Sequence, residues 1–530
     1  MLETKRSYQG MVTAPHHLAA QAGRDVLRDG GNAIEAMIAA ASTIAVVYPH
    51  MNGLGGDGFW LIGRPGGDVT AIQGCGRSAA MASRDWYLGQ GHKAIPSRGP
   101  LSALTVPGTV DGWRLAHELS AKKHGGKMPL SRLLEDAIRH AKNGVAVTRT
   151  LNDCTRIKLA ELVDVPGYAD VYLKDGNPHP IGARLRQERV ARTLEQLVAA
   201  GLDDFYRGDL ARSIAKDAEA AGSPLRLTDL ESHFAATVKP LSVDVAGHKV
   251  FNMPPPTQGL ASLLLLATYA RIKAEQSEGF DFVHRLVEAT KAAFRVRDRY
   301  VTDPKYMERS AESFLDDDHI GELAASVSFD KAAPWPHPSK PGDTVWLAAT
   351  DADGLSVSFI QSIYWEFGSG VILPETGITC QNRGTSFSLQ ERHPNRLDPG
   401  RLPFHTIQPA MAQLSDGRLM SYGTMGGEGQ PQTQAMIFAR HVLHGVPLQT
   451  SITAPRWLLG RTWGTAETNL KIENRLDAGV IEGLRRAGHD IEMTGGFSDM
   501  MGHAGAIVRH PDGLLEGAGD PRSDGGAAAY

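Results

Sequence analysis

The sequence predicts a mixed helix-and-sheet protein of the α+β class, and two regions of the chain support this. Between about residues 110 and 300, apolar residues recur at helical spacing in a series of segments, so this part is expected to be mostly helical. After about residue 330 the pattern changes to short stretches in which apolar and polar residues alternate, as in half-buried strands. Helices grouped in one part of a chain and strands in another are typical of α+β proteins.

Two helices are predicted near the start of the chain. The first covers 16–28 and stops before Gly30-Gly31, and the second follows Asn32, which stands with Glu35 in the N-cap and N3 relation of a capping box. A glycine-rich segment, 52–58, then leads into a predicted strand at 59–62. Further helices are predicted over 109–122, 129–142, 186–200, 208–221, 260–276 and 281–298.

A proline-rich stretch separates the helical part from the strands. Residues 332–343 contain four prolines and a glycine, which predicts an exposed loop or linker. Strand signals over 344–350 and 355–362 flank a turn at 351–354, so they predict a hairpin. With a four-residue loop, Thr350 would face Leu355. Thr344 would then lie opposite Gln361 and beside Ser362.

Composition limits the classes of protein and partner. The 530 residues are 42% hydrophobic and 22% charged, as in soluble globular proteins, and the formal charge of −4 gives no sign of a nucleic-acid or anionic-membrane partner. The three cysteines rule out a disulfide framework and have no zinc-site spacing. No apolar segment follows the charged N-terminus, and the longest apolar stretch, 34–47, contains Glu35. We therefore expect neither a secretory signal nor a membrane span, and we expect a cytoplasmic location.

Thr344 is the candidate nucleophile. A hydroxyl is a poor nucleophile at neutral pH, and the α-amine of an N-terminal threonine can act as the base that it needs. Since Thr344 is internal, cleavage of the Asp343–Thr344 bond must first expose that amine. The local sequence also fits an ordinary strand residue, because threonine is common in strands.

A second candidate feature is the glycine-rich segment at 423–429. Consecutive glycines allow backbone N–H groups to point into one small volume, where they stabilise the oxyanion of an acyl-transfer intermediate or bind a phosphate. Gly426 and Gly427 are the candidates for these donors. A tight turn with no chemical role also fits this segment.

In their order along the chain, short motifs resemble the gamma-glutamyltranspeptidase family of N-terminal-nucleophile (Ntn) hydrolases. The similarity covers nearly the whole length. The motifs are Gly10-Met11-Val12, Gln21-Ala22-Gly23, Gly30-Gly31-Asn32-Ala33, Pro49-His50, Gly53-Leu54-Gly55-Gly56, Val106-Pro107-Gly108, Asn252-Met253-Pro254-Pro255-Pro256, Asp343-Thr344 with Asp351 and Gly354, Phe367-Gly368-Ser369-Gly370, Pro399-Gly400, Pro409 and Gly426-Gly427.

This resemblance implies a four-layer αββα sandwich with added helices, formed as one domain by residues 1–530. It implies autocatalytic cleavage into a large subunit, 1–343, and a small subunit, 344–530, followed by catalysis through an acyl-enzyme on Thr344. Gly426 and Gly427 would form the oxyanion hole, and Ser362 would be a second hydroxyl in contact with the nucleophile. Neither a metal nor an organic cofactor is expected, and the partner would be a small-molecule amide. A dimer of the two-subunit unit is left open.

The chain departs from the family where its members hold an amino-acid head group. Cys75 stands at the position of the family's carboxylate-binding arginine, with Arg77 two residues further on, and Thr385-Ser386 replace its adjacent acids. His405-Thr406 replace two serines, and Tyr364 replaces an asparagine.

These departures favour a substrate that has a carboxylate but no α-ammonium. A buried ammonium needs an acidic partner, whereas an arginine suits a carboxylate. The predicted substrate-binding residues are Arg77, Tyr364, Arg383, His405 and Thr406. Structural roles are left open for the two arginines and for His405.

The stretches 381–384, 403–406 and 426–431 resemble the branch of the family that contains oxamate amidohydrolase. Glu366 or Glu428 in place of the missing acids would instead restore gamma-glutamyl hydrolysis or transfer. A relative that keeps the fold without activity is a third alternative.

Asp57 is interpreted as a cap of the glycine-rich turn. His16, His17 and His50 are interpreted as structural residues and not metal ligands.

Overall fold

The computed structural model of the protein describes residues 2–335, 343–460 and 468–530. Its strands are β1 Lys5–Ser7, β2 Gly10–Ala14, β3 Asp57–Gly63, β4 Thr70–Gly74, β5 Val145–Ala146, β6 Leu173–Lys174, β7 Asn177–Pro178, β8 Arg184–Leu185, β9 Ala236–Val238, β10 Leu241–Val245, β11 His248–Asn252, β12 Asp343–Asp351, β13 Ser356–Tyr364, β14 Ala410–Gln413, β15 Leu419–Thr424, β16 Trp457–Leu459, β17 Leu470–Glu473, β18 Ile491–Thr494, β19 Ala504–Arg509, β20 Leu515–Gly519 and β21 Gly526–Ala529.

Its helices are α1 His17–Arg28, α2 Ala33–Val47, α3 Arg84–Gly89, α4 Thr109–Lys123, α5 Leu130–Leu133, α6 Glu135–Asn143, α7 Arg149–Leu162, α8 Tyr168–Tyr172, α9 Glu188–Ala200, α10 Asp204–Arg207, α11 Asp209–Ala221, α12 Leu227–Glu231, α13 Gly259–Arg271, α14 Phe280–Tyr300, α15 Asp317–Ala325, α16 Gly429–Phe438, α17 Leu448–Thr453 and α18 Ala478–Arg486. Among these described residues, no helix is long and apolar enough to cross a membrane.

Two seven-stranded sheets form the centre of the protein. The first has the order β21-β2-β12-β13-β3-β4-β9, and the second has the order β1-β20-β19-β15-β14-β11-β10. Apolar side chains from both sheets, such as Trp346, Ile360 and Met411, form a core between them. The outer face of the first sheet packs on helices that include α1 and α2, and that of the second packs on helices that include α13 and α14. The predicted αββα sandwich is therefore confirmed.

The first two predicted helices are present, and their caps explain where they begin. The side chain of Asn32 accepts hydrogen bonds from Ile34 N and Glu35 N, and Glu35 accepts one from Asn32 N, so the predicted capping box is confirmed. His16 lies just before α1, and its Nδ1 accepts a hydrogen bond from Leu18 N at 3.2 Å. The predicted helix over 129–142 is interrupted at Leu134, and α7 has no counterpart in the sequence prediction.

The predicted hairpin is confirmed as β12–β13, but its predicted register is wrong by one residue. Thr350 pairs with Ser356 and not with Leu355, and Val345 takes the place opposite Gln361 that was expected for Thr344. A β-bulge lies between Asp343 and Val345, so Thr344 falls at an irregular point of the ladder. Of the predicted proline-rich loop, residues 336–342 lie outside the described residues.

Candidate active site

Thr344 lies at the start of β12 and is completely buried. Further along this strand, Trp346 and Ala348 point between the two sheets, while Val345 and Leu347 point toward the helices of the first sheet. The amide Nε2 of Gln430, in the first turn of α16, lies 3.5 Å from the hydroxyl Oγ1 of Thr344. The hydroxyl therefore lies near the segment that joins β15 to α16.

Ser362 lies near the end of the neighbouring strand and is also buried. Its Oγ accepts a hydrogen bond from Tyr364 N at 2.8 Å. The glycine-rich segment before β3 allows this part of β13 to come close, because a Cβ atom on Gly56 would lie only 2.2 Å from the carbonyl oxygen of Ser362.

Gly426 and Gly427 form the turn between β15 and α16. Both have positive φ angles, 112° and 53°, which favour glycine. Gln258, just before α13, holds this turn in place. Its Nε2 donates to the carbonyl oxygens of Gly427 at 2.8 Å and of Thr406 at 2.5 Å. Arg297 in turn donates to Gln258 Oε1 at 3.1 Å and to Glu428 Oε1 at 2.8 Å. The turn is therefore held rigidly at the N-terminus of a helix, as a set of oxyanion donors requires.

Arg383 is buried beside the start of β12. Its Cζ lies 3.8 Å from the centre of the Tyr364 ring, and Tyr364 is the cross-strand partner of Asp343. None of the three guanidinium nitrogens has a hydrogen-bond partner in the part of the chain that the structure describes. Burial lowers the pKa of Arg383, while Tyr364, Asp57 and Cys75 oppose that effect. A buried guanidinium with unused donors is the arrangement that a bidentate carboxylate would complete.

Asp57 and His405 lie next to this arginine. The interpretation of Asp57 as a cap of the glycine-rich turn is wrong, because its Oδ1 accepts from Gly108 N at 3.0 Å and Gly76 N at 3.4 Å, both far along the chain from that turn. Its Oδ2 lies 3.8 Å from His405 Nε2. Burial, followed by the charge of Arg383, lowers the pKa of His405 well below its ordinary value, so this imidazole is neutral.

The other two predicted substrate-binding residues differ in their surroundings. The hydroxyl of Thr406 is buried and has no hydrogen-bond partner among the described residues. Arg77, in contrast, has a 56% exposed side chain and lies near Asp303, with Nη1 3.4 Å from Oδ2. It lines a separate cavity of about 470 Å³, of which Cys75 is also part. The structure thus groups Arg383, Tyr364, His405 and Asp57 and leaves Arg77 at the edge.

Sequence reasoning missed Gln258, Gln430 and Asp57. The signal for Gln430 was available, because α16 is buried at every position and still contains three glutamines. Buried amides need hydrogen-bond partners, so such residues in an apolar helix indicate a polar site.

One group of residues has the side chains of a metal site but lies elsewhere. His284, Glu288 and His489 are buried together, with His284 Nδ1 2.8 Å from His489 Nε2. The ammonium of Lys291 lies 2.7 Å from Glu288 Oε1 and occupies the place where a cation would balance this carboxylate. The cluster therefore fits an internal ion pair better than a metal site.

Comparisons with known proteins agree on one family. The family model described as gamma-glutamyltranspeptidase matches residues 19–530. The chain is 52% identical to the oxamate amidohydrolase proenzyme of Klebsiella pneumoniae, with 99% of each chain covered. It is 40% identical to the glutathione hydrolase-like YwrD proenzyme of Bacillus subtilis, with 98% of each covered.

A solved structure supports the same assignment. The cephalosporin acylase of Bacillus halodurans matches with a TM-score of 0.91 and 33% identity, and the match covers 100% of this chain and 97% of the acylase. The fold, the matched residues and the relatives agree, and the chain belongs to the gamma-glutamyltranspeptidase family.

Proposed function

We propose that the protein is an autoprocessed amidohydrolase that cleaves the amide bond of a small, carboxylate-bearing molecule such as oxamate. The observation that carries this proposal is the buried guanidinium of Arg383, whose donors are unused within the described chain. It stacks on Tyr364, the partner of Asp343 across the hairpin, so the candidate anion site adjoins the bond that processing would cut. The relative named as an oxamate amidohydrolase proenzyme supports the same substrate class.

Processing would begin with attack of the Thr344 hydroxyl on the carbonyl carbon of Asp343. An N-to-O acyl shift gives an ester, and water hydrolyses it to free the α-amine of Thr344. Gln430 supports this role, because its Nε2 lies beside the hydroxyl and can orient it. The products are the two subunits 1–343 and 344–530.

Hydrolysis of the substrate would use the same hydroxyl. The new α-amine accepts the hydroxyl proton, directly or through a water, while Thr344 attacks the substrate amide carbonyl. Backbone N–H groups of Gly426 and Gly427 stabilise the oxyanion, and each such donor is worth about 10²- to 10³-fold in rate. The amine leaves as ammonia, and water then hydrolyses the ester on Thr344. Ser362 is proposed as a second hydroxyl beside the nucleophile.

Gamma-glutamyl hydrolysis or transfer is the second candidate, and relatives named as a glutathione hydrolase-like proenzyme and a glutathione hydrolase proenzyme favour it. It needs an acid for the substrate ammonium. Glu428 pairs with Arg297 at 2.8 Å, and Glu366 Oε2 lies 3.9 Å from Lys158 Nζ, so both acids already face a cation. This disfavours the gamma-glutamyl alternative.

The cytoplasmic location, the single domain and a dimer of the two-subunit unit stay predictions from the sequence.

The test compares two substrates on purified, processed protein. We expect ammonia release from oxamate and little release of the aniline from a gamma-glutamyl anilide, with Thr344→Ala inactive on both. Turnover of the anilide without turnover of oxamate would reverse the ranking. Processed protein that turns over neither would favour the relative without activity.

A further inference from the structure

Asp57 is a buried acid that neither the proposed processing nor the proposed hydrolysis uses. It is the first residue of β3 and pairs across the sheet with Ser362, so the two side chains project from the same face. Two backbone N–H groups donate to its Oδ1, and the side-chain amide of Gln381 also acts on the carboxylate, whereas no described residue meets Oδ2 with the geometry of a hydrogen bond. An oxygen this deeply buried normally has a partner.

The titratable groups that face Asp57 come from four parts of the fold. They are the guanidinium of Arg383, the imidazole of His405, the thiol of Cys75 and the phenol of Tyr206. Burial raises the pKa of the thiol and of the phenol well above their ordinary values, so both are neutral. Because the imidazole is neutral as well, Arg383 is the cation that faces Asp57 within the described residues.

A substrate carboxylate changes this balance. Before a ligand binds, one arginine faces one acid. When a carboxylate binds Arg383, two negative charges share a single cation among fully buried side chains, and such a pair strongly favours protonation of one acid. Burial already raises the pKa of Asp57 to about 7, against the opposing effects of Arg383, Gln381 and two backbone N–H groups. Asp57 is therefore the acid that accepts the proton.

We propose that Asp57 takes up one proton from solvent when a carboxylate substrate binds Arg383, and that its protonated Oδ2 then donates a hydrogen bond to that carboxylate. Asp57 is thus a specificity residue for the substrate class given under the proposed function, on which this inference rests. The proton balance is simple: one Asp57 carboxylate and one proton give one carboxylic acid, and the substrate remains an anion.

The inference predicts a pH dependence that one isosteric substitution removes. In the unsubstituted protein, the KM for oxamate should be constant below pH about 7 and rise about tenfold per pH unit above it, because binding then requires a proton. Asp57→Asn is neutral at every pH, and its amide can both accept from Gly108 and donate to the substrate. Its KM should be low and independent of pH.

Titration calorimetry with oxalate, which is not an amide, counts the proton directly. Heats measured at pH 8 in two buffers of different ionisation enthalpy should show uptake of nearly one proton by the processed protein and none by Asp57→Asn. Asp303→Asn is the matched control, since Asp303 is another buried acid held by backbone N–H groups, of Leu402 at 2.9 Å and Lys305 at 3.1 Å. It should retain the uptake, as should His405→Gln.

Equal proton uptake by Asp57→Asn and the unsubstituted protein would overturn the inference, as would loss of uptake in His405→Gln alone. Absence of oxalate binding or of proton uptake in the unsubstituted protein would also overturn it, and this measurement decides the matter if Asp57→Asn does not fold. Failure of the proposed function looks different: no ammonia is released from oxamate at any pH, while oxalate still binds with uptake of a proton.

Discussion

Arg383 is held where the described part of the protein offers it the face of an aromatic ring but no hydrogen-bond acceptor. Stacking on Tyr364, at 3.8 Å, contributes about 0.5–2 kcal/mol. Removing a charged group from water costs several kcal/mol even after the protein relaxes. The ring and the nearby Asp57 therefore compensate the charge only in part, and a ligand carboxylate would supply the acceptors that the guanidinium lacks.

Substitution of this arginine tests its assignment as the anion-binding residue. Arg383→Met removes charge-assisted hydrogen bonds worth about 1.5–3 kcal/mol, so kcat/KM for oxamate should fall about 10- to 100-fold. Arg383→Lys should be intermediate, because lysine keeps the charge without the planar fork. Ammonia release is the measurement, after the mass of each variant shows that it is processed.

Arg77→Met is the control for this experiment. Arg77 is an arginine of the same neighbourhood, but its side chain is largely exposed and lines a cavity of which Arg383 is not part. Its substitution should change kcat/KM less than threefold. A large loss of kcat/KM with Arg77→Met and none with Arg383→Met would place the anion site in the cavity that Arg77 lines.

The sequence predicts Arg77, Arg383 and His405 as anion-binding residues, because the family's usual acids are absent while these three remain. Asp57 was misinterpreted for a physical reason. Its hydrogen-bond partners, Gly76 and Gly108, are brought to it by β4 and by the start of α4, and no local pattern reveals such contacts. Hydrogen bonds between distant segments are set by tertiary packing, which the spacing of residues in one segment does not show.

At the level of elements, a buried ion pair on α14 holds the chain before the proposed processing site. Glu288 accepts from Ala333 N at 3.0 Å, and Lys291 donates to Ala333 O at 2.8 Å. Ala332 N also donates to the carbonyl of Ala487, just after α18, at 2.7 Å. The segment is thereby attached to parts of the chain on both sides of the proposed cleavage point.

Removal of one partner of this pair should destabilise the protein strongly. Lys291→Met leaves Glu288 buried without its cation, at a cost of about 3–5 kcal/mol. From the usual entropy of unfolding per residue, this corresponds to a fall of about 3–5 °C in the thermal midpoint of a chain of this length. Scanning calorimetry or a thermal fluorescence scan measures it.

Lys305→Met is the matched control, because this lysine is exposed. Its loss should change the stability by less than about 0.5 kcal/mol. The double variant Glu288→Gln/Lys291→Met should recover part of the loss, since no charge is then left unpaired. Equal midpoints for Lys291→Met and Lys305→Met would show that the ion pair contributes little.

The secondary-structure elements were predicted better than the register in which the strands pair. The capping box at Asn32 and the hairpin after residue 343 could be identified from local patterns, since caps and alternating strands have direct sequence signals. The register could not, because five residues, 351–355, connect the paired positions Thr350 and Ser356, where the turn signal indicated a loop of four. The position of the candidate nucleophile also depends on the irregularity between Asp343 and Val345, where two residues of β13 lie opposite Thr344, and the periodic pattern hides it.

In the whole molecule, each central sheet combines strands from both sides of Thr344. In the first sheet, β12 and β13 lie between β2 and β3, so strands of the proposed small subunit are enclosed by strands of the proposed large one. In the second sheet, β11, which precedes Thr344, pairs with β14, which follows it. The two chains produced by cleavage would share both sheets and the core between them, and would therefore stay together until the protein unfolds.

The central claim is that the chain cuts itself before Thr344, and intact-mass measurement on the purified, folded protein tests it most directly. Under denaturing conditions we expect two chains, 1–343 and 344–530, and under native conditions a species that contains both. Thr344→Ala should give one uncut chain under either condition. A single chain of 530 residues from a folded, unsubstituted sample would contradict the account.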